Sequence, residues 1–91
     1  MGNRTGTDKH REPSRRIKDI LAQNVRSFRR VKRLSQEDLA AKCNLHRTYV
    51  GSVERGERNV TLSTLEVLAD ALGITVPRLL TEGSIDNGDE K

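Results

Sequence analysis

Residues 44–59 run NLHRTYVGSVERGERN, and their side chains are suited to gripping a partner rather than to breaking bonds. Wound as a helix from Arg47 at about 100° per residue, Tyr49, Val50, Val53 and Glu54 share one half of the cylinder. Arg47, Thr48, Gly51, Ser52 and Arg55 share the other. An ordinary solvated face carries long, strongly helix-forming residues such as Glu, Lys and Gln. This one offers arginine, threonine, glycine and serine, so a partner can approach the backbone closely and meet guanidinium and hydroxyl donors. An arginine presented in this way matches the paired acceptors of a guanine edge in the DNA major groove. Glu54 falls beside Val50 on the apolar half, where a charge needs a partner.

Other chemistries lack their residues. His10 lies in a polar leading segment and His46 opens the helix just described, and neither has companions suggesting a catalytic set. Cys43 is the only cysteine, which excludes an intrachain disulfide and a cysteine cluster for zinc. It falls on an apolar face, as a small buried hydrophobe. No catalytic residue, cofactor, metal or small-molecule ligand is expected. No apolar run approaches the roughly 18 residues of a membrane span, and no apolar stretch follows the N-terminal charges as in a secretory signal. The expectation is a soluble, cytoplasmic protein with no membrane partner.

Charge points to the kind of partner. Residues 1–33 hold eleven Lys or Arg against three Asp or Glu, whereas residues 34–91 hold six against ten. A basic leading third favours a polyanion such as nucleic acid. Only 33% of the 91 residues are hydrophobic and 2% aromatic, so the core must be small and aliphatic, which suits short helices better than a sheet.

The elements that must position the arginine-bearing helix follow from spacing and caps. Ile17, Leu21, Val25 and Phe28 recur every three or four residues, predicting a first helix from Arg15 to Arg33 behind a Ser14 cap. Ser35 with Asp38 forms an approximate capping box for a second helix burying Leu39, Ala40 and Cys43. Asn44 and Leu45 make the turn, since asparagine tolerates the left-handed conformation that ends a helix. The third helix starts at His46 and stops at Gly56. Thr61 caps a fourth with Leu62, Leu65, Leu68, Ala69 and Leu72 on one face, ended by Gly73, and Thr75 starts a short fifth with Leu79 and Leu80. Leu39, Val50, Val53, Leu65 and Leu68 are the expected core. The second and third helices, joined by a few residues, form a helix–turn–helix unit whose second helix would enter a major groove.

The run LSQEDLAAKCNLHRTYVGSVERGERNVTLSTLEVLADALGITVPRLL resembles the Cro/repressor-type (XRE) helix–turn–helix family. Within it, the residues NL, RTY, ER, RN and LE most resemble the controller proteins of restriction–modification systems. The likeness extends roughly from Leu21 to Leu80. It implies an all-α, lambda-repressor-like fold of five helices. It also implies a transcriptional regulator, acting as a homodimer on a near-palindromic operator in double-stranded DNA. By the same resemblance Gln36 contacts phosphate and braces the third helix, and Arg47 and Thr48 meet bases. Tyr49, Ser52, Arg58 and Asn59 match positions at the backbone or groove rim, and Arg55 joins this set from the outward half of the helix. Arg29 and Glu54 match a pair inside the domain. Two departures stand out: Arg33 replaces a glycine common before LSQ, and Cys43-Asn44 replaces a common Leu-Gly.

The expected organisation is a flexible basic arm over 1–13, a DNA-binding domain over 14–81 and a flexible acidic tail over 82–91. The competing expectation is an antitoxin-like or adaptor module that uses the same fold to bind protein. Val67, Ala71 and Val76 would serve such a surface or a dimer contact equally well.

Overall fold

Ser14 starts the first helix by accepting a hydrogen bond from the Ile17 amide at 3.2 Å, satisfying one of the donors that every helix start leaves unpaired. The computed structural model describes residues 11–84. Among them the elements are α1 (Arg15–Val31), α2 (Gln36–Cys43), α3 (Arg47–Glu54), α4 (Leu62–Leu72) and α5 (Val76–Leu79). The all-α, five-helix expectation holds. Most of the arm assigned to 1–13 and of the tail assigned to 82–91 lies outside the described residues; at the boundary, Glu82 pairs with Arg16 at 2.6 Å and Ser84 is buried.

Local chemistry sets the ends of the later helices. Asp38 N–H donates to Ser35 Oγ at 2.9 Å and Ser35 N–H returns a bond to Asp38 Oδ2 at 3.0 Å, a reciprocal capping box. The Ser35 backbone bond, helped by its hydroxyl, holds the Asp38 carboxyl below the usual aspartate range. Asn44 ends α2 at φ 57°. The turn after α3 needs glycine: Gly56 has φ 72°, and a Cβ there would sit 2.9 Å from Asp19 Oδ1. Thr61 and Thr75 cap α4 and α5. Two boundaries differ from the sequence expectation. α1 stops at Val31 because Lys32 is its cap and Arg33 turns to φ 60°. α3 begins at Arg47, with His46 as an extended N-cap residue whose side chain makes no cap bond.

The core gathers one face of each helix. Leu39, Val50, Val53, Leu65 and Leu68 are all buried, joined by Val25, Phe28, Leu72 and Leu79. α2 packs against α3 and α4, while α1 lies behind α3 and reaches α4 and α5. Asn24 ties the last helix to the first, its amide donating to the carbonyls of Leu79 at 2.9 Å and Thr81 at 2.8 Å. Cys43 sits against α4, with its thiol directed at the Val67 carbonyl 3.7 Å away, and burial pushes that thiol's pKa up.

Leu68 has no exposed surface, so Leu68→Ala should cost roughly 2–5 kcal/mol, a large share of what a small domain possesses. Urea unfolding checks this, and an unchanged midpoint would mean that the α4 face does not hold the core.

Candidate nucleic-acid interface

The inward side of α3 is anchored by charge as well as by valine. Glu54, the last residue of the helix, has a side chain only 3% exposed. Arg29 on α1 grips its carboxylate with two bonds, Nε to Oε2 at 2.6 Å and Nη2 to Oε1 at 2.9 Å. Gln36, the first residue of α2, adds Nε2 to Oε1 at 3.0 Å. Arg26 donates to the Glu54 backbone carbonyl at 2.7 Å, so both ends of this residue are held. Burial pushes the Glu54 carboxyl up, but the Arg29 and Gln36 hydrogen bonds and the nearby guanidinium charges outweigh it, leaving the pKa below the usual glutamate value. The hydrogen bond to Glu54 raises the Arg29 pKa in turn.

The other end of α3 is open. Arg47 and Thr48 are exposed, and Arg47 makes no hydrogen bond or ion pair with any described residue. Thr48 Oγ1 lies 3.3 Å from His46 Nδ1. Beyond the helix, Arg58 is held in place: its Nε donates to Ser52 Oγ at 2.9 Å, and its guanidinium carbon stands 4.8 Å from the centre of the Tyr49 ring. Ser52 in turn donates its one hydroxyl proton to the Tyr49 carbonyl at 2.7 Å. A serine hydroxyl has a single donor, whereas arginine has five N–H groups. Ser52 is therefore committed to its neighbours, and the terminal nitrogens of Arg58 make no hydrogen bond with a described residue. Asn59 is exposed beside it. Arg55 is exposed and paired with Glu57 at 3.1 Å.

The structure thus brings Arg47, Thr48, Tyr49, Ser52, Arg58 and Asn59 onto α3 and the loop that follows it, with Gln36 braced against the base of the helix. The wheel placed Gly51 and Ser52 on the outward half, and here the structure corrects it, since both are buried. The cause is packing from neighbours. A Cβ on Gly51 would meet Arg55 Nη1 at 3.2 Å and Gln36 Oε1 at 3.6 Å, so its small size accommodates protein side chains. Arg26 was not singled out by the sequence reading. The available signal was its i,i+3 spacing from Arg29, which puts both guanidinium groups on one face of α1.

A helix–turn–helix family profile matches residues 25–79. Over 71 residues the chain is 63% identical to the control protein C.SmaI of Serratia marcescens, covering 78% of this chain and 84% of that protein. Its fold superposes on the restriction–modification controller protein C.AhdI from Aeromonas hydrophila with a TM-score of 0.66 at 47% identity, over 68% of this chain and 94% of that one. The controller protein C.Esp1396I, solved as a tetramer in complex with its natural 35 base-pair operator, gives a TM-score of 0.64 at 33% identity, over 69% of this chain and 83% of that one. Among the described residues, no helix is long and apolar enough to cross a membrane.

Because the folded pKa of Glu54 is depressed, its ionised form adds stability above the unfolded value of about 4.3. That contribution is lost as pH falls through the lower folded value. Thermal unfolding from pH 7 to pH 3 should show a steeper acid loss in the native protein than in Glu54→Gln, which leaves Arg29 uncompensated and should cost on the order of 3 kcal/mol at pH 7. Asp38 titrates in the same direction and is common to both proteins, so the difference between the curves isolates Glu54. Parallel curves would show that the pair does not hold α3.

Proposed function

The chain belongs to the Cro/repressor-type helix–turn–helix family, with controller proteins of restriction–modification systems among its relatives, and on that premise we propose how it regulates transcription: as a homodimer that places α3 in the major groove of a near-palindromic operator. The observation that carries this reading is the asymmetry of α3. Its carboxyl end is buried in a network of arginine and glutamine donors, while its amino end presents Arg47 and Thr48 outward. In a helix–turn–helix unit, residues near the start of the second helix meet base edges.

The side chains divide the work. Arg47 has a guanidinium that can give guanine two parallel hydrogen bonds, and Thr48 beside it offers a hydroxyl and a methyl group. Arg58 and Asn59 meet phosphate, from which position a protein is held in register without reading sequence. Tyr49 and Ser52 act mainly by fixing Arg58 before DNA arrives, so less side-chain entropy is lost on binding. Gln36 spends one amide proton on Glu54 and has a second for phosphate. Arg55 gives Glu57 only its Nε, in an exposed pair worth little, and keeps terminal N–H groups for DNA. Val67, 40% exposed on α4, together with Ala71 and Val76 supplies apolar area for the twofold contact that a palindrome requires. This is a binding protein of the cytoplasm rather than an enzyme.

The test begins with selection of bound sequences from a random duplex pool, where a palindromic consensus is expected. On that consensus Arg47→Ala should cost about 1–3 kcal/mol, with a much smaller loss on random DNA. Arg58→Ala should weaken both duplexes evenly and make the salt dependence shallower by about one ion per protomer. Equal losses on both duplexes for Arg47→Ala would sink the base-reading role, and absence of any salt-sensitive DNA binding would favour an adaptor instead.

A further inference from the structure

Arg33 occupies a backbone conformation that its side chain makes costly. Among the described residues the non-glycine positions at positive φ are Arg33 at 60° and Asn44 at 57°. Asparagine tolerates the left-handed region through local hydrogen bonding, but arginine gains nothing there. Glycine would hold the same turn without strain. The strained side chain is exposed, and no hydrogen bond or ion pair with a described residue accounts for its presence.

The turn that carries it is rigidly registered to α3. Arg33 N–H donates to Arg30 O at 2.9 Å and Leu34 N–H to Arg29 O at 3.1 Å. Arg29 Nη1 then closes on Leu34 O at 2.8 Å, while the rest of that guanidinium grips Glu54. One arginine therefore fixes both the recognition helix and the turn. Gln36 lies three residues past Arg33, a backbone reach of at most roughly 11 Å, and Arg30 and Lys32 add two exposed cations nearby.

We propose that Arg33 is a phosphate clamp, placing its guanidinium on the DNA backbone beside the amino end of α2. The inference rests on the DNA-binding reading above and extends its footprint beyond α3 and the Arg58 loop. A planar guanidinium suits phosphate oxygens, and a turn locked to α3 delivers it at a fixed distance from the base-reading end. The competing role is purely structural, a cation complementing the carboxyl end of α1. The two roles make opposite demands on a glycine variant.

The experiment compares the full-length native protein with Arg33→Gly, Arg33→Ala and Arg33→Lys, using thermal melting and salt titration on a short random-sequence duplex, with Arg47→Ala alongside. Arg33→Gly should melt at or above the native temperature and yet bind roughly 3–10-fold more weakly at 50 mM salt, the gap narrowing roughly threefold by 200 mM. Arg33→Ala, which keeps the strained backbone, should lose the same affinity, and Arg33→Lys should keep most of the salt slope. Native affinity and slope in the glycine and alanine variants would overturn the proposal, as would a lower melting temperature with unchanged DNA binding. If the native protein itself shows no salt-dependent binding, the DNA-binding reading falls and takes this with it. If the native protein and Arg47→Ala bind random DNA equally while Arg33 variants match them, only the clamp is wrong.

Discussion

A carboxylate buried at the end of an eight-residue helix is the constraint on which the rest of the domain turns. Removing such a charge from water costs several kcal/mol, and only close, well-shaped partners offset it. Glu54 has them in Arg29, Gln36 and Arg26, drawn from α1 and α2. A helix this short is marginal by itself, and of its side chains Val50 and Val53 alone reach the apolar core fully. Two valines secure attachment but not direction. Four directed hydrogen bonds from three side chains to one residue fix how the helix is rotated and tilted, and hence where Arg47 and Thr48 point.

The same arginine carries the constraint outward. Arg29 holds the Leu34 carbonyl as well as Glu54, so the turn bearing Arg33 and the end of α3 are tied to one side chain, and Gln36 ties the start of α2 to the same carboxylate. On the far side of α3, Arg58 is fixed by Ser52 and the Tyr49 ring. The cations proposed to meet DNA therefore adjoin a helix whose orientation is set from behind. Preorganisation of this kind lowers the ordering cost of binding, which gives polar side chains with no direct route to DNA a part in the proposed interface.

Much of this was legible in the chain because it is local. Ser35 with Asp38, Asn44, Thr61 with Gly73, and Thr75 mark helix ends through bonds spanning a few residues. Apolar spacing assigned the core faces except at Leu62, which is 79% exposed because it opens α4 at the edge of the apolar stripe. The Arg29–Glu54 pair rested on the family resemblance, and independently on a charge at an apolar wheel position. The wheel failed at Gly51 and Ser52, because angle about a helix's own axis carries no information on side chains arriving from Gln36, Arg55 and Arg58. Arg26 was missed because its acceptor is a backbone carbonyl 28 residues away, which no residue type announces. The positive φ of Arg33 was signalled only by the resemblance, whose family commonly has glycine at this position; an arginine does not announce that conformation.

The central claim is that the buried ionic network directs α3 rather than merely holding it, and the double variant Arg29→Met/Glu54→Leu tests it most directly. Apolar replacement of both partners of a buried pair is often neutral or stabilising, so this protein should melt at or above the temperature of either single variant. The measurement is its affinity for the selected palindromic duplex, at a temperature where it is fully folded. The expected result is a folded domain that binds that duplex at least about tenfold more weakly than the native protein, a loss of about 1.4 kcal/mol. Native affinity in the folded double variant would contradict it, because α3 would then find its direction without the charges.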